Sequence, residues 1–359
     1  MSSDTPATPP DLLRGLSEIL LRDQDLDPSQ AEAAAEALAA PVASIEEKAG
    51  FLGALAHKGE TPGEVGAFAK AFRAKALDPG LEGIATEAID VVGTGGDQSG
   101  TFNFSTAAGL LLASLGVPVM KHGNRSITSR SGSADLLGNL AVPFETDRGF
   151  LRESMERFRF CFFFAPSFHP AFKEIMPARK KLAETGQRTI FNLLGPLINP
   201  GRPAHQLMGV FAAAWAEPIA MALDGLGLRA ALVVHSATGP SSGVDELTVA
   251  GDNVIVGAGR LRSEEYPSAP EAYGLVRGTL ADLQGGEAEA NAALLRDLAD
   301  GKGPDPLEDT LCFNAGAALF VTGRVDSVVP GIDLARTALR DGSFREWLGR
   351  FETFNRERS

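Results

Sequence analysis

The stretch IDVVGTGGDQSGTFNFSTA (residues 89–107) carries the strongest indication of fold in this sequence. Its β-branched start predicts a strand that ends in the glycine cluster 93–96. An apolar helix is predicted to follow, because an apolar run comes directly after a group of polar side chains. These polar side chains, which are hydroxyls and one amide, are Thr101, Asn103, Ser105 and Thr106.

A second segment of similar design follows immediately. The apolar run 117–120 predicts another strand, which leads into KHGNRSITSRSGSADLL (residues 121–137). The loop after this strand is basic, and residues 129–133 form another hydroxyl-rich helix start. The two segments together predict the order strand, glycine loop, helix, strand, basic loop, helix.

This arrangement predicts a site for a phosphorylated ligand. Free N–H groups and the positive dipole end at a helix N-terminus favour phosphate, and glycines allow close backbone approach. Lys121 and Arg125 add positive charge beside the two helix starts. The loop is not a P-loop, and G-x-G-x-x-G fails because Gln98 replaces the third glycine. For the cluster 93–96 taken alone, a structural turn remains an equal alternative.

Composition restricts the classes of function. A chain of 359 residues with 44% apolar content can build a large core, and its length favours two domains. The net charge of −13 argues against nucleic-acid and anionic-membrane binding. Cys161 and Cys312 stand in apolar surroundings and are expected to be buried free thiols. Without a leader or a spanning apolar run, we expect a cytoplasmic protein.

The chain pattern changes from helical to alternating near residue 85. Residues 11–77 show helical periodicity, with capping boxes at Ser44 and Thr61. Beyond residue 85, strands separated by helices predict an α/β domain with a mostly parallel sheet. Closing helices are expected at 286–299 and 331–357. Strands are predicted at 88–92, 117–120, 160–164 and 230–234, with weaker candidates at 253–256 and from 275 onward.

Residues 93–107 and 121–137 resemble the signatures of the anthranilate phosphoribosyltransferase family. The resemblance continues through FAPSFHPAFKEIMPARKKL (residues 164–182), RTIFNLLGPLINP (188–200), GVDE (243–246) and GGEAEANAALL (285–295), and so covers nearly the whole chain. It implies transfer of phosphoribose from 5-phosphoribosyl pyrophosphate (PRPP) to anthranilate, with release of pyrophosphate, in tryptophan biosynthesis.

The resemblance also implies an architecture. A small discontinuous helical domain, residues 1–85 joined by 168–202, would accompany a larger α/β domain, residues 86–167 and 203–359. This is the fold type of nucleoside phosphorylases and class II phosphoribosyltransferases. Members of the family are usually homodimers through the helical domain.

Carried over residue by residue, the family pattern implies a donor site and a metal site. Asp245 and Glu246, with Ser105, are the expected Mg²⁺ ligands, since Mg²⁺ is typically held by one or two carboxylates together with substrate phosphates. The alternatives are a solvated acidic pair, and simple helix capping for the hydroxyls of the first helix start. The donor-binding positions are Gly93, Gly96, Asp97, Thr101, Asn103, Ser105, Thr106, Lys121 and Ser133.

The acceptor site is implied in the same way. Arg179 matches the arginine that contacts anthranilate in this family. An arginine suits this role, because its guanidinium can hold a carboxylate in a bidentate manner. His122, Asn124 and Gly93 would face the same substrate. The alternative for Arg179 is a salt bridge with a neighbouring glutamate, Glu174 or Glu184.

Two segments depart from the family pattern and concern the acceptor and metal side. Residues 180–188 and the loop 235–243 are longer than usual, and the role of His235 stays open.

Two other functions remain possible: another pentosyl transferase of the same fold, such as a nucleoside phosphorylase, or a non-catalytic relative that binds nucleic acid. The glycine loop and the segment 169–179 favour an anthranilate phosphoribosyltransferase. The acidic net charge opposes nucleic-acid binding.

Overall fold

The structure, a computed structural model, describes residues 8–126, 130–144, 146–239 and 242–358. It divides into two compact units. The smaller comprises the described residues up to Leu77 together with Phe168–Ile198, and the larger comprises Asp78–Ser167 and the described residues from Asn199 onward. Within the described residues, no helix combines the length and apolar character needed to cross a membrane.

Helices form the regular structure described in the smaller unit and alternate with strands in the larger one. The strands are β1 (Ile89–Gly93), β2 (Val119–Gly123), β3 (Phe160–Phe164), β4 (His205–Gly209), β5 (Ala230–Gly239), β6 (Ser242–Val244) and β7 (Asp252–Gly259). The α-helices are α1 (Pro9–Leu20), α2 (Pro28–Ala39), α3 (Ile45–Lys58), α4 (Pro62–Ala74), α5 (Glu82–Ala85), α6 (Phe104–Ser114), α7 (Ser133–Asn139), α8 (Arg148–Phe158), α9 (Ala165–Phe168), α10 (Met176–Ala183), α11 (Phe191–Leu197), α12 (Ala216–Gly225), α13 (Ala288–Ala299), α14 (Asp305–Val321), α15 (Val328–Arg340) and α16 (Ser343–Arg356).

The helix starts of the smaller unit follow local sequence rules. The side chain of Ser44 accepts a hydrogen bond from Glu47 N, and the side chain of Thr61 accepts one from Glu64 N. Both glutamates bond back to the capping residue, so both predicted capping boxes are confirmed. The packed faces are apolar, and Phe72 contacts Phe172 and Phe191 edge to face.

The larger unit contains a mostly parallel sheet, in the order β3-β2-β1-β4-β5-β6, with β7 paired to β5. The strands from β1 to β5 pair in parallel, whereas β6 and β7 run antiparallel to β5. The chain proceeds from β1 outward to β3 and then returns to β4 on the other side of β1. The two ends of this switch, Gly93 and Gly209, are paired in register.

The predicted strand pattern is mostly confirmed, with one error and two omissions. The strand expected from 275 onward is wrong, because residues 275–279 have no regular structure and Leu280–Leu283 forms a 3-10 helix. Neither β4 nor β6 was expected. The predicted fold class, with a small helical unit and a larger α/β unit, is confirmed.

The core of the larger unit is centred on α6 and α14. Helix α14 is buried around almost its whole circumference and packs on α6, α15, β4 and β5. Its contact with α15 is unusually close, because a Cβ at Gly316 would lie 2.6 Å from Ile332 N. Such a helix has no polar face, so periodicity alone does not reveal it. The cysteines, Cys161 and Cys312, are buried and free.

The unit boundaries differ by a few residues from the predicted ranges 1–85 and 168–202. Residues 78–85 belong to the larger unit, where Arg148 pairs with Asp78 at 2.9 Å. Residues 199–202 also belong to it, because Asn199 Nδ2 donates to Asp90 Oδ2 (2.8 Å) and to Met120 O (2.7 Å). The first contact ties Asp78 to the start of α8, and the second ties Asn199 to β1 and β2.

Candidate active site

The candidate site lies at the carboxyl ends of β1 and β4, where the strand order reverses. Ligands in open α/β sheets bind at such a switch point. Asp245 packs directly on the backbone here: a Cβ at Gly93 would lie 2.3 Å from Asp245 Oδ2, and one at Gly209 would lie 1.5 Å from Asp245 O. Both positions therefore require glycine, since any side chain would displace the acidic turn.

The glycine loop after β1 wraps around the Asp245 carboxylate. Gly95 and Gly96 both have positive φ (69° and 77°), which glycine adopts without strain. Gly95 N donates to Asp245 Oδ2 at 2.6 Å, and Asp245 N donates to Asp97 Oδ2 at 3.3 Å. The predicted donor-site residue Asp97 and the predicted metal ligand Asp245 are thus neighbours.

Glu246 faces the start of α6. Its Oε1 accepts a hydrogen bond from Ser105 N at 2.9 Å, in the first turn of the helix. A carboxylate at this place benefits from the helix dipole. Burial nevertheless raises the pKa of Glu246 to about 7, and burial with the charges of Asp97 and Glu246 raises the pKa of Asp245 well above its ordinary value. The three acids therefore form a cluster in which the shared negative charge is unfavourable without a cation.

Lys121 brings a buried positive charge to the other side of Ser105. Its Nζ donates to Val91 O at 2.6 Å and to Ser105 Oγ at 3.4 Å. Burial lowers the pKa of Lys121, while the negative charges of Asp90 and Glu246 act in the opposite direction. The ammonium is therefore held by fixed partners rather than solvated.

The hydroxyls at the start of α6 are not helix caps. The N-cap is Asn103, and its side chain makes no capping hydrogen bond. Thr106 Oγ1 is buried and has no hydrogen-bond partner within the described part of the chain. Thr101 Oγ1 instead shares a hydrogen bond with Ser99 Oγ (3.0 Å). Simple capping therefore does not account for these hydroxyls.

The second loop follows β2 and lies beside the first. Asn103 Nδ2 donates to Ser131 O at 3.0 Å, which joins the two loops directly. Ser133 Oγ donates to Asn124 O at 3.3 Å, and a Cβ at Gly123 would lie 2.0 Å from Ser133 Oγ. Ser129, the first residue of the hydroxyl-rich start predicted at 129–133, lies outside the described residues.

Two of the charged or titratable residues of this loop have structural partners. Arg125 pairs with Asp135 at 3.2 Å, and Asp135 Oδ2 also accepts from Ser126 N and Gly132 N. His122 is buried, and its backbone N donates to Asp90 Oδ1 at 3.3 Å. The charge of Arg125 is thus partly neutralised within the loop.

The turn that carries the acid pair is supported from α14, which the sequence did not indicate. Asn314 Oδ1 accepts from Leu247 N at 3.2 Å, and Asn314 Nδ2 donates to Leu247 O at 2.7 Å. Thr310 Oγ1 accepts from Val249 N at 3.4 Å. In the sequence, the asparagine and the threonine stand in an apolar helix. Because buried polar side chains need hydrogen-bond partners, they could have indicated a contact with another segment.

Arg179 lies on α10, in the smaller unit. Its guanidinium lies over the ring of Phe191, 5.2 Å from the centroid, and contacts Met176 Sδ at 3.7 Å. Burial lowers the pKa of Arg179. Among the described residues Arg179 forms no salt bridge with Glu174 or Glu184, so the alternative role for this arginine is not observed.

Three histidines outside the loops, His169, His205 and His235, are buried. His205 Nδ1 lies 3.1 Å from Ala88 O, and His235 Nδ1 lies 2.8 Å from Val210 O. Burial lowers the pKa of His169 to about 4, so this imidazole is neutral at pH 7. His205 and His235 bracket β4 at its two ends.

The donor set suits Mg²⁺ that arrives with a phosphorylated ligand. Within the described ranges, no group of three or more His, Cys, Asp and Glu side chains is arranged to hold a metal ion by itself. Mg²⁺ does not require one, because it prefers oxygen ligands, keeps several waters and takes others from substrate phosphates. Asp245 and Glu246, with the hydroxyl of Ser105, offer only oxygen atoms, and their raised pKa values reflect charge that a cation would stabilise.

Comparison with known proteins identifies the family. A family model described as "Glycosyl transferase family, a/b domain" matches residues 85–344, and one described as "Glycosyl transferase family, helical bundle domain" matches residues 14–76. The anthranilate phosphoribosyltransferase of Rubrobacter xylanophilus is 40% identical over 336 residues, which cover 93% of this chain and 94% of the relative. That of Rhodospirillum rubrum is 42% identical, over 94% of each.

The chain belongs to the anthranilate phosphoribosyltransferase family. The resemblance seen in the two loops is thereby confirmed, and the chain is an enzyme of the glycosyl transferase class. The crystal structure of anthranilate phosphoribosyltransferase from Thermus thermophilus is 40% identical and superposes with a TM-score of 0.83, over 95% of this chain and 99% of that one.

A more distant family member shares the fold. Anthranilate phosphoribosyltransferase from Saccharomyces cerevisiae, solved in complex with PRPP and Mg, is 23% identical and has a TM-score of 0.82, over 96% of this chain and 98% of that one. The same yeast enzyme has been solved in complex with 4-fluoroanthranilate.

The raised pKa of Glu246 predicts a specific dependence of stability on pH. A carboxyl whose pKa is higher in the folded state binds its proton more tightly there, so the folded state loses stability as pH rises from about 4.5 to about 7. Glu246→Gln removes this charge and can keep the hydrogen bond from Ser105 N. Without ligands, we expect it to stabilise the protein by about 2 kcal/mol more at pH 8 than at pH 5.

Urea unfolding at the two pH values measures this difference. Glu289→Gln serves as the control, because Glu289 is exposed on α13 and should give little change at either pH. Equal effects of Glu246→Gln at both pH values, or a loss of stability at pH 8, would contradict the electrostatic account of the acid cluster.

Proposed function

We propose that this chain transfers the 5-phosphoribosyl group of PRPP to anthranilate and releases pyrophosphate, as a step of tryptophan biosynthesis. The names of its relatives support the activity. The observation that carries the proposal is the buried acid pair Asp245-Glu246, which is held against the first turn of α6 with Lys121 alongside. Such a place suits a ligand that brings both a cation and phosphate groups.

The donor would bind at the two loops. The positive end of the α6 dipole favours phosphate oxygens. The buried hydroxyl of Thr106, without a described partner, supplies a hydrogen-bond donor, and Lys121 supplies charge. Asp97 suits the hydroxyls of the ribose. Gly93 and Gly96 allow close approach, and Thr101, Asn103, Ser105 and Ser133 complete the proposed set.

Asp245 and Glu246, with Ser105, would hold Mg²⁺ together with the pyrophosphate of PRPP. The yeast family member, which was solved with PRPP and Mg, supports this expectation. When bound, Mg²⁺ supplies charge neutralisation at the leaving group. The protein's own contribution is to fix the two carboxylates in place before the ligand arrives, through Gly95 N and Ser105 N.

The reaction forms a bond from the amino nitrogen of anthranilate to the anomeric carbon of ribose and breaks the bond from that carbon to the pyrophosphate oxygen. The amino nitrogen also loses one proton, which is released to solvent. The amine of anthranilate is neutral at pH 7, so we propose no covalent nucleophile. Lys121 and the α6 start would stabilise charge as it moves onto pyrophosphate. Positioning of the two reactants supplies the remainder of the catalysis.

Arg179 would bind the carboxylate of anthranilate. A guanidinium held over Phe191 is already desolvated on one face, which strengthens a charge-assisted hydrogen bond. His122, Asn124 and Gly93 would contribute the remaining contacts, as the family resemblance implies. The yeast family member, solved with 4-fluoroanthranilate, supports an acceptor of this chemical class.

The further expectations for this enzyme are a homodimer, a cytoplasmic location and no nucleic-acid partner. Exposed apolar side chains in the smaller unit support the first: Leu21, Val42 and Ile45 are 65%, 67% and 43% exposed. The net charge of −13 supports the last.

The loss of anthranilate fluorescence, with PRPP and Mg²⁺ present, tests the proposed reaction. We expect turnover by the wild type that depends on both PRPP and Mg²⁺. Asp245→Asn can keep the hydrogen bond from Gly95 N but removes a negative charge, so we expect it to lose activity on the order of a hundredfold and remain folded. If the folded wild type released pyrophosphate only with a different acceptor, the proposed reaction would be wrong.

The role of Arg179 predicts a selective effect on the acceptor. Arg179→Ala removes the charged partner of the carboxylate, and we expect the KM for anthranilate to rise about tenfold or more while the KM for PRPP changes little. Lys180→Ala, at an exposed neighbouring position, is the matched control and should behave as wild type. A wild-type KM for anthranilate in Arg179→Ala would exclude the assigned role.

A further inference from the structure

We propose that Asn291, on α13, is a positioning residue for PRPP binding: it orients the side-chain amide of Asn103 and thereby holds the two donor loops together. The inference rests on the proposed function of those loops. Asn291 is far along the chain from both loops, within the segment GGEAEANAALL, and no substrate-binding role was inferred for it from the sequence.

Three hydrogen bonds in series connect α13 to both loops. Gly286 N donates to Asn291 Oδ1 at 2.7 Å, and Asn291 Nδ2 donates to Asn103 Oδ1 at 2.7 Å. Asn103 Nδ2 then donates to Ser131 O at 3.0 Å, on the second loop. We call this series the amide relay.

The direction of the amide relay is set by its two ends. A backbone N–H can only donate and a backbone carbonyl can only accept, so Gly286 N and Ser131 O fix which atom of each amide faces its neighbour. Rotating either amide by half a turn would place two donors or two acceptors together. The orientation of Asn103 is therefore determined by Asn291 and Ser131 O together.

Burial and backbone contacts make the relay rigid. Asn291 is 1% exposed, so water cannot readily replace a lost partner, and an unpaired buried group is costly. The backbone before α13 also clasps the first loop, because Gly285 N donates to Gly100 O and Phe102 N donates to Leu283 O, both at 2.9 Å. The first loop is therefore held by these backbone hydrogen bonds as well as by the amide relay.

The relay leaves Asn103 with a defined function. Its Oδ1 and one hydrogen of Nδ2 are engaged, and its other Nδ2 hydrogen has no partner among the described residues. Asn103 therefore offers an N–H to a ligand, which suits an oxygen of PRPP and not a ligand donor. Loss of the relay would free the amide to rotate and would loosen the contact between the loops.

Asn291→Asp tests this inference with almost no change in size. An ionised carboxylate at position 291 can accept from Gly286 N but cannot donate to Asn103, so the Asn103 amide must rotate and its bond to Ser131 O is lost. We expect the KM for PRPP to rise about tenfold, with the KM for anthranilate within about twofold of wild type. Asn139→Asp, at an exposed position on α7, controls for the added charge and should leave both constants unchanged.

A double-mutant cycle distinguishes positioning from a general structural effect. In the Asn103→Ala background, Asn291→Asp should raise the KM for PRPP no further, because its effect passes through the Asn103 amide. Additive effects, or an unchanged KM for PRPP in Asn291→Asp, would overturn the inference. If Asn291→Asp unfolds, Asn291→Ala, which introduces no buried charge, replaces it with the same expected results.

The outcome also separates this inference from the proposed reaction. If the wild type binds PRPP in calorimetry but does not use anthranilate, the proposed acceptor is wrong, and the same variants then test the relay through the dissociation constant for PRPP. If the wild type turns over and Asn291→Asp binds PRPP equally well, the relay is wrong while the reaction stands.

Discussion

The contact between the Asp245 turn and two bare strand ends determines the rest of this site. Gly93 and Gly209 lie side by side at the point where the strand order reverses, and a Cβ at either position would collide with Asp245. Only because both are glycine can a carboxylate reach the base of the glycine loop. The loop, the acid pair and the start of α6 are then brought within hydrogen-bond distance of one another.

This arrangement gives up some stability in the free protein. The negative charges of Asp97, Asp245 and Glu246 lie close together, and burial with this repulsion raises the pKa values of the last two. Helix α14 holds the turn against that repulsion through Asn314, whose amide engages both backbone groups of Leu247. A cation bound with a phosphorylated ligand relieves the same repulsion, so the electrostatic strain of the free site favours ligand binding.

The sequence predicted the features that depend on nearby residues and missed those that depend on distant ones. The capping boxes at Ser44 and Thr61 and the two loops are local patterns, and they were predicted. Strand β4, HQLMG, lacks β-branched residues, and it is a strand because β1 and β5 flank it. Helix α14 is apolar on nearly every face, which removes the periodic signal.

The candidate site follows the same division. Motifs indicated which residue types gather at the loops, because glycine, hydroxyl and acidic side chains have direct chemical meaning for a phosphorylated ligand. The support from Asn314 and the amide relay through Asn291 could not be predicted, since they join segments far apart in sequence. Arg179 was indicated by the family pattern, but its stacking on Phe191 required the packing of α10 and α11.

We propose that the buried pair Asp245-Glu246, which is partly protonated because burial raises the pKa of Glu246 to about 7, binds Mg²⁺ together with PRPP. Calorimetric titration at pH 7, repeated in buffers with different ionisation enthalpies, measures the protons released when Mg²⁺ and PRPP bind. We expect net proton release by the wild type and less release by Glu246→Gln, because the bound cation replaces the proton of that carboxyl. Equal proton release by the two proteins, or binding of PRPP that is indifferent to Mg²⁺, would contradict it.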